Sequence, residues 1–218
     1  VDRLLARRAY AQALDLVGKQ LYKQPKAWPI HDLRVRVLLA AGRRDEAVLA
    51  YAERYPQGGP DSPRLFRQIA IALLEEGLAS GDGLLRTRAA AALGPLAAPD
   101  LLPVHRHALS DQDATVRALA AQGLGEVAGE EAGRLLREAL ADPQAEVRAA
   151  AAAALAGRGD AATHEALLRA TEDKSKVVRL RAATALARQG RREGFALLMR
   201  FLKDRDDSVR MQAAEALG

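Results

Sequence analysis

The chain has 218 residues, 49% of them hydrophobic but only 4% aromatic, and it contains no Cys. Ala and Leu dominate, so the core is aliphatic and helical; without Cys there is neither a disulfide nor thiolate chemistry; and no run of about 18 apolar residues exists to cross a membrane as a helix. The formal net charge of +5 arises wholly in residues 1–109, which carry 16 basic and 11 acidic side chains against 17 of each in residues 110–218. That falls short of the concentrated basic stripe of a nucleic-acid binder.

The chain opens at Val1 with no visible signal peptide. The absence of Cys suits the cytoplasm or the periplasm. The expectation is cytoplasmic, with the periplasm open if an upstream signal has been removed. Heavy use of Ala and Arg suggests a GC-rich bacterial genome.

The first helical stretch runs from Arg8 through Tyr22 to Pro25, and Trp28-Pro29 precedes a second, about Ile30 to Ala41, with Gly42 at its end. A third begins beyond Gly42 and ends at Pro56. The run from Pro56 to Pro63 is the clearest break in the chain. An amphipathic helix follows from Arg64 to Leu78, and Ser80-Gly-Asp-Gly separates it from what comes next. Tyr10, Ala13 and Pro25, then Gly42, Ala47 and Tyr51, resemble the tetratricopeptide repeat, in which a turn precedes a helix bearing a small Ala. The resemblance covers one and a half to two copies. It departs from the family at Pro56, which comes early, and at His31 and Arg34, where the family prefers Trp and Leu.

From Ser110 the chain repeats itself every 31 residues without a gap, with copies beginning at Ser110, Ala141, Glu172 and Lys203. A fixed period of this size marks a repeat architecture. Asp recurs at Asp111, Asp142, Asp173 and Asp204. The pair Val-Arg recurs at Val116-Arg117, Val147-Arg148, Val178-Arg179 and Val209-Arg210. Paired Ala follow, and Leu124, Leu155, Leu186 and Leu217 close the helix. One period earlier, Leu85-Arg86, Ala89-Ala90 and Leu93-Gly94 fit the same frame, with Ser80 in place of the Asp. Each unit reads as two helices. The first bears the Val-Arg pair, with Val116, Ala120 and Leu124 on one face. The second has its own stripe, such as Leu135, Leu136, Ala139 and Leu140. The six Ala from Ala149 to Ala154 sit in register with the first helix and read as a tightly packed inner helix. One such pair cannot bury its apolar face alone, whereas stacked pairs share a continuous core.

This frame resembles the HEAT family, in particular the short HEAT-like repeats of phycobilin lyases, over roughly residues 80–218. The resemblance implies a right-handed α-solenoid (alpha-alpha superhelix) of stacked antiparallel helix pairs, all-α throughout. It divides the chain into tetratricopeptide-like repeats at 1–78 and HEAT-like repeats at 79–218. The last copy stops at Gly218 without a second helix, so the chain is expected to continue. The resemblance further implies a structural ladder between neighbouring repeats, made of Asp111, Arg117, Asp142, Arg148, Asp173, Arg179, Asp204 and Arg210. It also implies that the second helix of each pair lines the hollow side. Projecting the period onto that helix gives candidate groove residues Arg106, His107, Arg137, Glu138, Arg169 and Arg200.

Residues that carry chemistry are sparse. His105 and His107 are two apart and point to different helix faces, so they read as solvated or groove-lining side chains. His31 and His164 are isolated. No Cys or carboxylate cluster supports a zinc site. Glu75-Glu76 and Glu130-Glu131 read as solvated or helix-end charges. No nucleophile-elbow, phosphate-loop or dinucleotide motif is present. The expected function is a protein-binding scaffold or adaptor without cofactor or metal, gripping another protein or peptide on its concave face. Two alternatives stay open. One is nucleic-acid binding through Arg3, Arg7, Arg8, Lys19, Lys23 and Lys26. The other is a bilin-lyase-like enzyme or its accessory subunit. The oligomeric state is not legible.

Overall fold

The computed structural model describes residues 1–54, 62–96 and 98–218, and of Trp28, Arg54 and residues 62–64 only the backbone. The expected break from Pro56 to Pro63 lies mostly on residues 55–61, outside the described residues. The described residues form helices and turns without strands, and they divide into two compact units, Val1–Glu76 and Gly77–Gly218.

The first unit contains α1 (Asp2–Ala6), α2 (Tyr10–Lys23), α3 (Trp28–Ala40), α4 (Arg44–Arg54) and most of α5 (Ser62–Leu78). α3 begins at Trp28 rather than Ile30, because Pro29 sits in the first turn, where its missing N–H costs nothing. α5 likewise takes in Ser62 and Pro63. Ala13 and Ala47 are fully buried; the first packs with Val17 and Val37, the second with Val35, Leu38, Leu65 and Ile69. Gly42 ends the α3 turn at φ +73°, a conformation that side chains with a Cβ resist.

The second unit contains α6 (Gly83–Leu93), α7 (Leu102–Leu109), α8 (Ala114–Leu124), α9 (Glu130–Ala139), α10 (Ala145–Ala154), α11 (Ala161–Ala170), α12 (Lys176–Arg188), α13 (Arg192–Phe201) and α14 (Asp207–Leu217). The 31-residue frame maps onto α6, α8, α10, α12 and α14, which carry the Val-Arg positions. Their starts share one capping position. Asp82, Asp113 and Asp206 each accept a hydrogen bond from the backbone N–H two residues on, while Gln144 and Ser175 at the same register do not. Leu93, Leu124, Leu155 and Leu186 are fully buried, each contributing about 2 kcal/mol of apolar burial.

The helices form two layers. α6, α8, α10 and α12 pack directly on one another, with α14 extending the series; α7, α9 and α11 touch one another only sparsely. Small residues allow the close packing. A Cβ on Gly123 would lie 3.0 Å from the Gly94 backbone, and one on Gly125 would lie 3.0 Å from the Ala154 Cβ. A stack whose one layer is tight and whose other is splayed bends toward the tight layer. The concave face of this unit is therefore made by the Val-Arg helices. The sequence reading expected the second helices to line the hollow side. α7, α9 and α11 instead form the outer layer.

Candidate partner-binding groove

The loops that precede the Val-Arg helices are tied together by arginine. Arg86 Nε donates to Asp111 Oδ2 at 2.9 Å, Arg117 Nε to Asp142 Oδ2 at 2.8 Å and Arg148 Nε to Asp173 Oδ2 at 2.7 Å. Arg117 and Arg148 add a second bond to the other carboxylate oxygen, at 2.9 Å and 2.8 Å. The same arginines donate through Nη1 to carbonyls of their own loop: Ser80 and Gly81, Asp111 and Gln112, Asp142 and Pro143. Each Asp also accepts the backbone N–H two residues on, at Asp113, Gln144, Ser175 and Asp206. Ser80 does the same for Asp82 with its hydroxyl, which is how it replaces the missing Asp.

The electrostatics follow. The Arg148 hydrogen bonds hold the Asp173 carboxyl below its ordinary value against the opposing effect of burial. Burial alone would raise Asp142, but Arg117 and the Gln144 N–H more than reverse it. One rung departs from the expected ladder. Arg179 donates to the Asp173 and Lys174 carbonyls, but Lys176 Nζ takes Asp204 Oδ1 at 2.9 Å. Arg210 likewise bonds the Asp204 carbonyl and pairs with Asp207 within its own turn. Lys176 opens α12, about one turn before Arg179, and its long stem carries the ammonium across to the carboxylate.

A second tie, at the opposite ends of these helices, was not legible in the sequence. Arg158 donates to the Gly129 and Val127 carbonyls, and Gln189 Nε2 to the Leu155 and Arg158 carbonyls at 3.0 Å and 2.7 Å. The register position holds Val127, Arg158 and Gln189, three unlike residues, so repetition gives no signal there.

The candidate residues on the second helices fall in the outer layer. Arg106, His107, Glu138, Arg169 and Arg200 are exposed. Arg137 is not: its side chain is 18% exposed, held by Glu130 at 2.6 Å and Asp160 at 3.7 Å. It braces α9 against the start of α11 and, with Arg169, lines an outer-layer pocket of about 300 Å³ between these helices. Charges around it are also paired internally. Glu131 takes both Arg134 and Arg106, which bring its carboxyl down to about 2, with Arg134 the larger influence, and Glu138 takes Arg134 as well.

The His-x-His pair separates as its spacing requires, but His105 is neither solvated nor groove-lining. It is fully buried, with Nδ1 3.2 Å from the Ala120 carbonyl and Nε2 without a hydrogen-bond partner. Burial lowers its pKa, offset in part by the Ala120 bond. Thr163, next to His164, is also fully buried and donates its hydroxyl to Asp160 at 2.7 Å, as part of the α11 cap. Among the described residues no group of three His, Asp or Glu could hold a metal ion. No described helix is long and apolar enough to cross a membrane.

The concave layer holds a cleft of about 660 Å³ across α8, α10 and α12. Its floor is Ala149, Ala150, Ala153 and Ala154, with Gly157 at one end and Val177 beside it. Glu126 and Glu146 stand on the α8 and α10 side, Arg181 and Arg188 on α12. All four charged side chains are exposed and none has a hydrogen-bond or ion-pair partner among the described residues. The sequence held one clue to this face. Positions 119, 150 and 181 read Leu, Ala and Arg, varying between copies while the flanking Val, Arg and Ala positions stay fixed.

A family model for HEAT repeats matches residues 71–156 and 164–218. No curated protein matches the chain. Among solved structures, the chain is similar to the complex of CpcE and CpcF of phycocyanin lyase from Nostoc sp. PCC7120, with 25% identity and a TM-score of 0.54. That match covers 74% of this chain and 65% of the other, so the chain spans just under two thirds of its relative. It is similar also to an engineered protein (22% identity, TM-score 0.44, covering 86% of this chain and 94% of that one). Human deoxyhypusine hydroxylase in complex with glycerol is a third (19% identity, TM-score 0.38, covering 98% and 97%).

Proposed function

The chain belongs to the HEAT-repeat family, and from that premise we propose that it is a non-enzymatic scaffold that binds another protein on the concave face of its second unit. The observation that carries this reading is the cleft itself, a floor of small apolar residues bordered by four exposed charges. On α9, Glu130, Glu131, Arg134 and Arg137 pair among themselves. The four charges around the concave cleft make no hydrogen bond or ion pair among the described residues. Unpaired charges over a floor of small apolar residues suit a macromolecular surface, which supplies counter-charges and fills the floor. Two of the four are carboxylates, which would repel the phosphates of a nucleic acid.

The test is affinity capture from the source organism with quantitative mass spectrometry, run on three versions of the chain. Ala153→Trp fills the cleft from an exposed position. Arg169→Glu with Arg200→Glu alters only the outer layer. The expected result is that proteins held by the wild type are lost with Ala153→Trp and kept with the outer-layer pair. The reverse pattern overturns the reading.

The likeness to the CpcE and CpcF complex favours a second reading, in which the chain serves as one half of a two-chain bilin lyase. Incubating the chain with a bilin and an acceptor apoprotein separates the two, since only a lyase yields a covalent adduct.

A further inference from the structure

Resting on the scaffold reading, we infer that the concave cleft takes an amphipathic helix of opposite-signed ends, laid across α10 with its acidic N-terminal turn over Arg188 and its basic C-terminal turn toward Glu126. The charges around the cleft are segregated. The carboxylates stand on the α8 and α10 side, the guanidinium groups on α12. Glu126 lies two helix spacings from α12, roughly 20 Å at 8–10 Å per spacing. A helix of about 13 residues covers that span at 1.5 Å per residue.

The direction follows from the helix macrodipole. A free helix is most stable with acidic residues in its first turn and basic residues in its last. Such a helix matches the cleft in one orientation only, so ligand stability and charge complementarity select the same pose. The floor supports it. Ala150, Ala153 and Gly157 present almost no side chain, so a second helix can approach closely, and Val177, 53% exposed, offers an apolar contact beside them. A single-signed ligand, whether an acidic peptide or a nucleic acid, would satisfy one side of the cleft and be repelled by the other. Opposed charges of this kind set partner choice and orientation more than raw affinity.

The probe is a dye-labelled synthetic helix of about 13 residues, with glutamates in its first turn, lysines in its last and leucine and alanine between. Its binding is read by fluorescence anisotropy. Peptides of the same length with glutamates at both ends, or lysines at both ends, and a single-stranded oligonucleotide serve as comparisons. The expected result is that the two-signed helix binds at least about ten-fold more tightly than any of these, and less tightly as salt is raised. The double variant Arg181→Glu with Arg188→Glu should lose the two-signed helix and take the all-lysine peptide instead. Absence of binding to the two-signed helix, equal binding of a single-signed probe, or an unchanged preference in the double variant overturns the inference. The scaffold reading is judged separately by the Ala153→Trp capture, so a cleft that holds a partner of another charge pattern would be recognised as such.

Discussion

Arginine at the fixed repeat position does two jobs, and the last copies show that they separate. Arg148 is 5% exposed, makes a two-pronged bond to Asp173 and donates to two carbonyls of its own loop. Arg179 keeps the carbonyl bonds but has ceded Asp204 to Lys176. Removing Arg148 would strand a carboxylate as well as two carbonyls, whereas removing Arg179 would strand carbonyls alone. A largely buried charge left without its partner is more costly than a lost neutral acceptor. Arg148→Ala is therefore expected to cost about 3 kcal/mol and Arg179→Ala about 1 kcal/mol in urea unfolding. Equal losses would show that the carboxylate bond adds nothing to the loop anchor.

At the scale of the helix, packing is set by the smallest side chains. Gly194 lies where α13 crosses α12, and a Cβ there would meet the Ala183 carbonyl oxygen at 2.7 Å and the Leu186 carbonyl carbon at 2.8 Å, with the Ala187 nitrogen also in its path. These are backbone atoms and cannot swing aside. Although Ala is the better helix former, Gly194→Ala is expected to lower stability by about 2 kcal/mol in the same urea measurement. Gly157, with nothing within 4 Å of its added Cβ, is the comparison site, where Ala should cost little. A gain in stability at Gly194 would mean that the two helices are not held in contact. The same physics explains what the sequence disclosed. Val116, Ala120, Leu124 and their counterparts repeat because every copy packs alike, so periodicity revealed the helices, and the resemblance to HEAT repeats implied the ladder. Which layer would be concave was not legible, because curvature depends on relative helix spacing, a sum over Gly94, Gly123, Gly125 and Ala154 contacts between copies. The groove residues escaped for a related reason. Glu126, Glu146, Arg181 and Arg188 occupy positions free of packing constraints, and nothing there repeats. His105 was misplaced because its neighbour His107 is exposed and the spacing alone does not say which of the two faces inward.

Across the whole second unit, each helix pair meets only its neighbours, so a local perturbation should stay local. His105 offers a way to see this, because it links α7 to the Ala120 carbonyl of α8 at one end of the array. Burial depresses its pKa, so below about 6.5 the unfolded chain takes up a proton that the folded chain resists. Stability is thus full above that pH and falls as the pH drops toward the folded value. The ladder carboxylates Asp142 and Asp173 are depressed too, but their contribution is lost only below about 4. Between about pH 4.5 and 6.5 the loss belongs to His105. Hydrogen exchange, corrected for intrinsic rates, should therefore show α7 and α8 losing protection between about pH 7 and about pH 5, while α12 and α13 keep theirs. His105→Gln should abolish the difference, since its amide does not titrate. Uniform loss along the array would mean that the unit opens as one cooperative body, and a loss that survives His105→Gln would assign the titration to another group.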